Sequence, residues 1–181
     1  MCVALDPRYA ASPADLGGPI RSPKPMVDRS MTGFERLRRD PRSTPELIET
    51  ALAEAERADD LPDGDFLAVA VLHARGTREV LSAALELCGS PDPKRRDLGA
   101  DILGQLGSPE RTFPEECCDA LLDLVRHEPD LGVLRTTLSA FGHLGNRRCE
   151  PELIALRSHP DHAIRHGVAF ALCGATSSAA S

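Results

Sequence analysis

Aromatic side chains are scarce in this chain: 3% of 181 residues, with one Tyr, five Phe and no Trp. So little ring surface argues against a stacking platform, an aromatic ligand cage or a large aromatic-lined pocket. No run approaches the roughly 18 to 20 apolar residues of a membrane span. The N-terminus MCVALDPRYAASP lacks a basic region followed by an apolar stretch, so it does not have the form of a secretory signal. The expected compartment is therefore the cytoplasm. An excess of positive charge is missing as well. Lys and Arg total 21 against 28 Asp and Glu, and the net charge of −7 opposes nonspecific attraction to phosphates. Neither nucleic acid nor a membrane is expected as a partner. The charge is uneven: residues 1–43 hold eight basic against five acidic groups, residues 44–181 thirteen against twenty-three.

The six cysteines, at 2, 88, 117, 118, 149 and 173, form an even set. Without an export signal, and with Cys88, Cys117, Cys118 and Cys173 inside or at the ends of apolar helical patterns, they read as reduced thiols packed as small hydrophobes.

Residues 1–45 contain seven of the fifteen prolines and no sustained period. They read as a disordered leader over 1–43, in which Met26 and Met31 are alternative starts and ERLRRDPR at 35–42 is a solvated linker or a contact for an anionic surface. Order is expected from Thr44-Pro45-Glu46, a cap followed by Pro at the first helical position, with Leu47, Ile48, Ala51, Leu52 and Ala55 at helical spacing. An acidic turn around Asp59, Asp60, Asp63 and Asp65 leads to a second helix, FLAVAVLHARG, ending at Gly76.

From there the chain repeats. PDPKRRDLGADILGQLG at 91–107, PDLGVLRTTLSAFGHLG at 129–145 and PDHAIRHGVAFALCGAT at 160–176 align on Pro-Asp. In each copy the Asp, at 92, 130 or 161, can cap the following helix, which carries an apolar or small stripe. The stripes are Leu98, Ile102, Leu103 and Leu106; Val133, Leu138, Phe141 and Leu144; and Ile164, Val168, Ala169 and Leu172. Each is preceded by another helix: TREVLSAALELCG, with Val80, Leu81, Ala84, Leu85 and Cys88; FPEECCDALLDLVRH, with Cys118, Leu121, Leu122 and Val125; and the shorter CEPELIALRSH. Short links make each pair an antiparallel hairpin. Gly99, Ala100, Ala140, Ala169 and Ala171 allow close backbone approach. The expected fold is all-α: a right-handed superhelix of three to four hairpins over 44–176, with a flexible tail at 177–181. A four-helix bundle is the alternative, although it would not need the repeated Pro-Asp register.

In these residues the chain resembles the HEAT-like repeat family, including the short bacterial repeats similar to those of phycobiliprotein lyases. PDHAIR at 160–165 is the closest motif, and the resemblance covers about residues 65–175. It implies that Asp161 caps the second helix, Ile164 enters the core and Arg165 supports the turn of an adjacent repeat. The first copy keeps Asp92 and Arg96 but has Arg95 at the aliphatic position. The second keeps Asp130 and Val133 but has Leu134 where Arg belongs, with Arg135 one step later.

No residue is assigned a catalytic, cofactor-binding or metal-ligating role. His162 and His166 are four apart, near His159, yet no HExxH accompanies them and they lie off the apolar stripe. Cys149 and His143 do not complete a ligand knuckle. Adjacent Cys117 and Cys118 point about 100° apart on a helix, and Glu115 and Glu116 oppose thiolate formation. GADILGQLG lacks the strand and spacing of a nucleotide-binding loop. A DNA glycosylase would need a cationic face; a bilin lyase shares the scaffold without a visible acid, base or thiol. The expected function is non-enzymatic: a protein-binding or assembly scaffold with another protein as partner. The alternative is a helical-repeat enzyme or lyase-like accessory protein. At the C-terminal edge Val168, Phe170, Ala171 and Leu172 cannot all enter one interface, which points to self-association, an obligate partner or a truncated array. One consequence is direct. Purified protein should carry no stoichiometric metal and keep its helical circular dichroism after chelation; one tightly held metal per chain, lost on His162 or His166 substitution, would contradict it.

Overall fold

A computed structural model describes residues 33–57 and 67–177 of the protein. The described residues form nine α-helices and no strand: α1 Gly33–Arg38, α2 Thr44–Glu56, α3 Leu67–Arg75, α4 Arg78–Cys88, α5 Pro93–Gln105, α6 Pro114–His127, α7 Leu131–Leu144, α8 Glu150–Ala155 and α9 His162–Ser177. Single 3-10 turns at Arg147–Cys149 and Leu156–Ser158 flank α8. The acidic turn expected at 59–65 lies outside the described residues, as does the leader over 1–32.

Over residues 33–43 the structure differs from the expected disorder. Arg38 Nε donates to Ala74 O at the end of α3 (2.8 Å), and its Nη2 reaches Ser108 O (3.2 Å) and the Glu110 carboxylate (2.8 Å). Arg75 donates in return to the carbonyls of Asp40 and Arg42. A cation at a helix C-terminus satisfies carbonyls that have no partner within the helix. These bonds join residues 36 and 70 positions apart, so no local pattern encodes them. The arginines of ERLRRDPR include side chains that hold this segment to the body.

The helix starts follow the sequence signals with one displacement. Ser43, not Thr44, caps α2 in a reciprocal box with Glu46; Thr44 is the first helical residue, and it is buried. A Ser with Glu three residues on satisfies two backbone donors, which a cap at Thr44 would not.

The Pro-Asp copies build one device three times. Asp92 accepts from Lys94 N (3.0 Å), Asp130 from Gly132 N and Val133 N (2.8 and 3.1 Å), and Asp161 from Ala163 N and Ile164 N (2.7 and 3.2 Å). Each Asp N–H in turn donates to the side chain two residues earlier: Ser90 Oγ, Glu128 Oε1 and His159 Nδ1. Four residues after the Asp, Arg96 donates to Ser90 O and Pro91 O, and Arg165 to His159 O and Pro160 O. Leu134 holds that place in the middle copy and is buried. Arg96 also forms a two-pronged pair with Glu128, at 2.7 and 2.8 Å, reaching the turn of the next copy. The Glu128 side chain is 1% exposed, and the Arg96 guanidinium holds its pKa below the usual carboxylate value against the cost of burial.

Each helix from α2 onward packs on its sequence partner, α2 on α3, α4 on α5, α6 on α7 and α8 on α9, while α5, α7 and α9 pack side by side in a row. Other contacts skip neighbours: α1 lies on α3 and α2 touches α5. Gly99 sits against α4, where a Cβ would meet Cys88 N at 2.9 Å, and Gly104 against Ala140. Leu47, Leu72, Leu81, Ile102, Leu103, Leu121, Leu138, Phe141, Leu153 and Ile164 fill the core. Three residues expected on apolar faces do not join it. Leu85 is 40% exposed, and Ala55 and Ala169 are exposed as well. At 100° per residue Leu85 lies about 40° outside the arc set by Val80, Leu81, Ala84 and Leu87 on α4, and Ala169 about 100° outside that set by Ile164, Val168 and Ala171 on α9. Exposed ion pairs tie the outer helices together: Arg78 with Glu116, Arg126 with Glu152, and Arg148 with Glu115 and Asp119. Replacing Asp130 with Ala removes two cap bonds and should cost about 1 kcal/mol; urea unfolding of the variant with an unchanged midpoint would contradict the cap.

Candidate functional site

The row of α3, α5 and α7 leaves a groove, closed at one side by α2, with a volume of ≈ 840 Å³. Its lining follows from helical periodicity. On α5, Gly99, Ala100, Ile102 and Leu103 are buried, which turns Lys94, Asp97, Leu98, Asp101 and Gln105, spaced by three or four residues, toward the groove. Gly132, Val133, Arg135, Thr136 and Ser139 of α7 face them, and Leu52, Ala55 and Val69 supply apolar wall from α2 and α3.

Asp97 is a perturbed carboxylate in the groove. Burial pushes its pKa up, and the like charges of Asp101 and Asp130 add to the rise; a hydrogen bond from Thr136 and the charge of Arg135 oppose it. Lys94 does not answer Asp97, since its ammonium lies 2.9 Å from Glu56. His73 is buried on α3, with Nε2 3.2 Å from Asp101 O and 3.5 Å from the Asp101 carboxylate. A carbonyl oxygen only accepts, so Nε2 carries a proton. Farther along α7, His143 packs edge-on to Phe170, ring centroids 5.4 Å apart. Burial, then the charge of Arg111, lowers its pKa.

The residues weighed from sequence fall elsewhere. His159 accepts from Asp161 N through Nδ1, so that nitrogen serves the α9 cap, while His162 and His166 are exposed. Among the described residues no three His, Cys, Asp or Glu side chains gather as a metal-ligand group. Cys117, Cys118 and Cys149 are buried and Cys88 is half-buried; Cys173 is exposed, outside the packed-thiol expectation. Burial pushes Cys88 and Cys117 up to about 12, and Cys118 and Cys149 up to about 11, which keeps these thiols protonated and poor nucleophiles at neutral pH. At the C-terminal edge Val168 and Ala171 are buried, while Phe170 remains 43% exposed. Sequence reasoning gave the groove residues no shared role: Leu52, Ala55, Leu98 and Val133 read as apolar-face residues and Asp130 as a cap, while the polar series 94, 97, 101 and 105 on α5 is, on sequence alone, indistinguishable from a solvated face.

Compared with known proteins, the chain matches no family model and no curated sequence. No helix among the described residues is long and apolar enough to cross a membrane.

The raised Asp97 pKa fixes the sign of a pH effect. Its ionised form is disfavoured in the fold, so its burden is absent below the unfolded-state value of about 4, grows as pH rises from there toward the raised folded-state value, and is fully present above it. Asp97→Asn should therefore raise the melting temperature at neutral pH, with the gain vanishing by about pH 3. A loss of stability at neutral pH, measured by thermal unfolding, would refute this account of the site.

Proposed function

We propose that the chain is a HEAT-like helical-repeat protein that binds another protein, and that the groove between α2, α3, α5 and α7 is its binding face. The observation that carries this reading is the groove itself, ≈ 840 Å³ with apolar walls and a few convergent polar groups, the character of recognition sites in general. The threefold recurrence of the Asp cap at 92, 130 and 161 supports a repeat architecture, here read as a right-handed superhelix of hairpins. Repeat stacks of that kind use the surface along successive helices as an extended docking face. The perturbed Asp97 and His143 favour a second reading, a helical-repeat enzyme or lyase-like accessory protein, because shifted pKa values gather at catalytic sites.

The test fills the groove. Ser139→Trp places an indole among the lining residues, whereas Glu86→Trp alters an exposed position on α4. Affinity capture with the tagged full chain should recover a partner with wild type and with Glu86→Trp, and lose it with Ser139→Trp at unchanged circular dichroism. Recovery that is indifferent to Ser139→Trp would remove the groove from the reading.

A further inference from the structure

Asp97 and Asp101 stand one turn apart on α5, and both line the groove. Like charges at this spacing destabilise a helix, and here Asp97 is largely removed from water, which sharpens the cost. Asp130 adds a third carboxylate from the start of α7. Against these the lining offers two fixed cations. Lys94 is paired with Glu56 and Arg135 offsets part of the Asp97 charge, while Asp130 is held by the amides of Gly132 and Val133 and the Asp101 carboxylate lies 3.5 Å from His73 Nε2. His73 binds the Asp101 carbonyl as a donor that needs no charge. The groove therefore holds an excess of negative charge beside the apolar walls of Leu52, Ala55, Val69, Leu98 and Val133.

Accepting the groove as the binding face, we propose that its occupant is an extended segment of a partner protein bearing Arg or Lys, with one cationic head seated at the Asp97–Asp101 pair. The aliphatic stem of such a side chain suits the apolar wall, and its head relieves the like-charge repulsion between Asp97 and Asp101. The row α3, α5, α7 spans two interhelical spacings, about 16–20 Å, which is the length of roughly five to six extended residues. Residues 44–181 carry thirteen basic against twenty-three acidic groups, a field that draws a cationic segment toward the body at long range.

The experiment uses the full chain and three fluorescein-labelled hexapeptides that alternate Leu with Arg, with citrulline or with Glu, read by fluorescence anisotropy. The Arg peptide should bind at least about tenfold more tightly than its neutral citrulline isostere, and the Glu peptide should not bind. Asp97→Asn/Asp101→Asn should raise the Kd for the Arg peptide by about tenfold or more, while Glu79→Gln/Glu86→Gln, which removes the same charge from exposed positions on α4, should leave it within about twofold. Equal weakening by the two double variants would reduce the effect to diffuse attraction and overturn the proposal, as would no measurable binding of the Arg peptide. Citrulline and Arg peptides binding equally, both lost with Ser139→Trp, would overturn the cationic preference and leave the groove reading standing. Arg-peptide binding that survives Ser139→Trp would overturn both. Sedimentation that shows the groove filled by a second copy, with the peptide excluded, would also sink the proposal.

Discussion

Direct contact between the backbones of α5, α7 and α9 is the constraint on which the rest of the body depends. A Cβ at Gly104 would lie 2.6 Å from Ala140 Cα, and one at Gly174 2.1 Å from Gly142 O. Neither space admits a carbon. A glycine inside a helix costs about 1 kcal/mol relative to alanine, so each is tolerable only where its absence of a side chain is used. Here it brings polar stripes of adjacent helices into one surface. Thr136 of α7 can then hydrogen-bond Asp97 of α5, and the groove has a continuous floor in place of a gap between helices.

Close approach alone does not decide which residues face the groove. That is set by where each helix begins, because a start displaced by one residue rotates every later side chain by about 100°. The Pro-Asp device removes that freedom. At α7, Asp130 both caps the helix and lines the groove, so the residue that fixes the register also contributes charge to the surface the register creates. Arg96 extends the control between copies: through Glu128 it reaches the residue whose carboxylate receives Asp130 N–H. The start of α7 is thus tied to α5 by a chain of polar bonds, part-buried between Arg96 and Glu128 and exposed at Asp130 N. Such a chain gives geometric specificity even where its net stabilisation is small.

How far this was legible in the sequence depends on the range of the forces involved. Caps at Asp92, Asp130 and Asp161 are local, since their acceptors and donors lie within three residues, and the sequence predicts them. The stripe on α7 is also legible, because Val133, Leu138, Phe141 and Leu144 are all buried. Leu85 and Ala169 misled for a local reason: hydrophobicity marked them, but their angle put them outside the buried arc. The helix at Gly33–Arg38 was invisible for the opposite reason. Its segment is held by Arg38 and Arg75 reaching carbonyls in distant turns, and an arginine gives no sign in sequence of which carbonyl it will meet. The groove lies beyond sequence reading because the same polar series on α5 serves a solvated face or a docking face. Only the position of α7 distinguishes them.

The choice of groups at the groove floor shows that packing and charge are handled separately. Where α3 meets α5, His73 adds a hydrogen bond to the Asp101 carbonyl, a bond that a lysine or arginine could also make. Either would also neutralise the neighbouring carboxylate and let both helices settle at lower electrostatic cost. His73 makes the same bond through Nε2 with no obligatory positive charge, so the bond is made and the negative potential survives. Lys94, which could reduce that potential, is drawn instead to Glu56 on α2. Of the two lysine and arginine side chains in the lining, only Arg135 acts against the charge of Asp97, whose pKa is raised first by burial and then by the neighbouring carboxylates of Asp101 and Asp130. A cation entering from outside would meet a carboxylate that the fold has taken part-way out of water and only partly compensated.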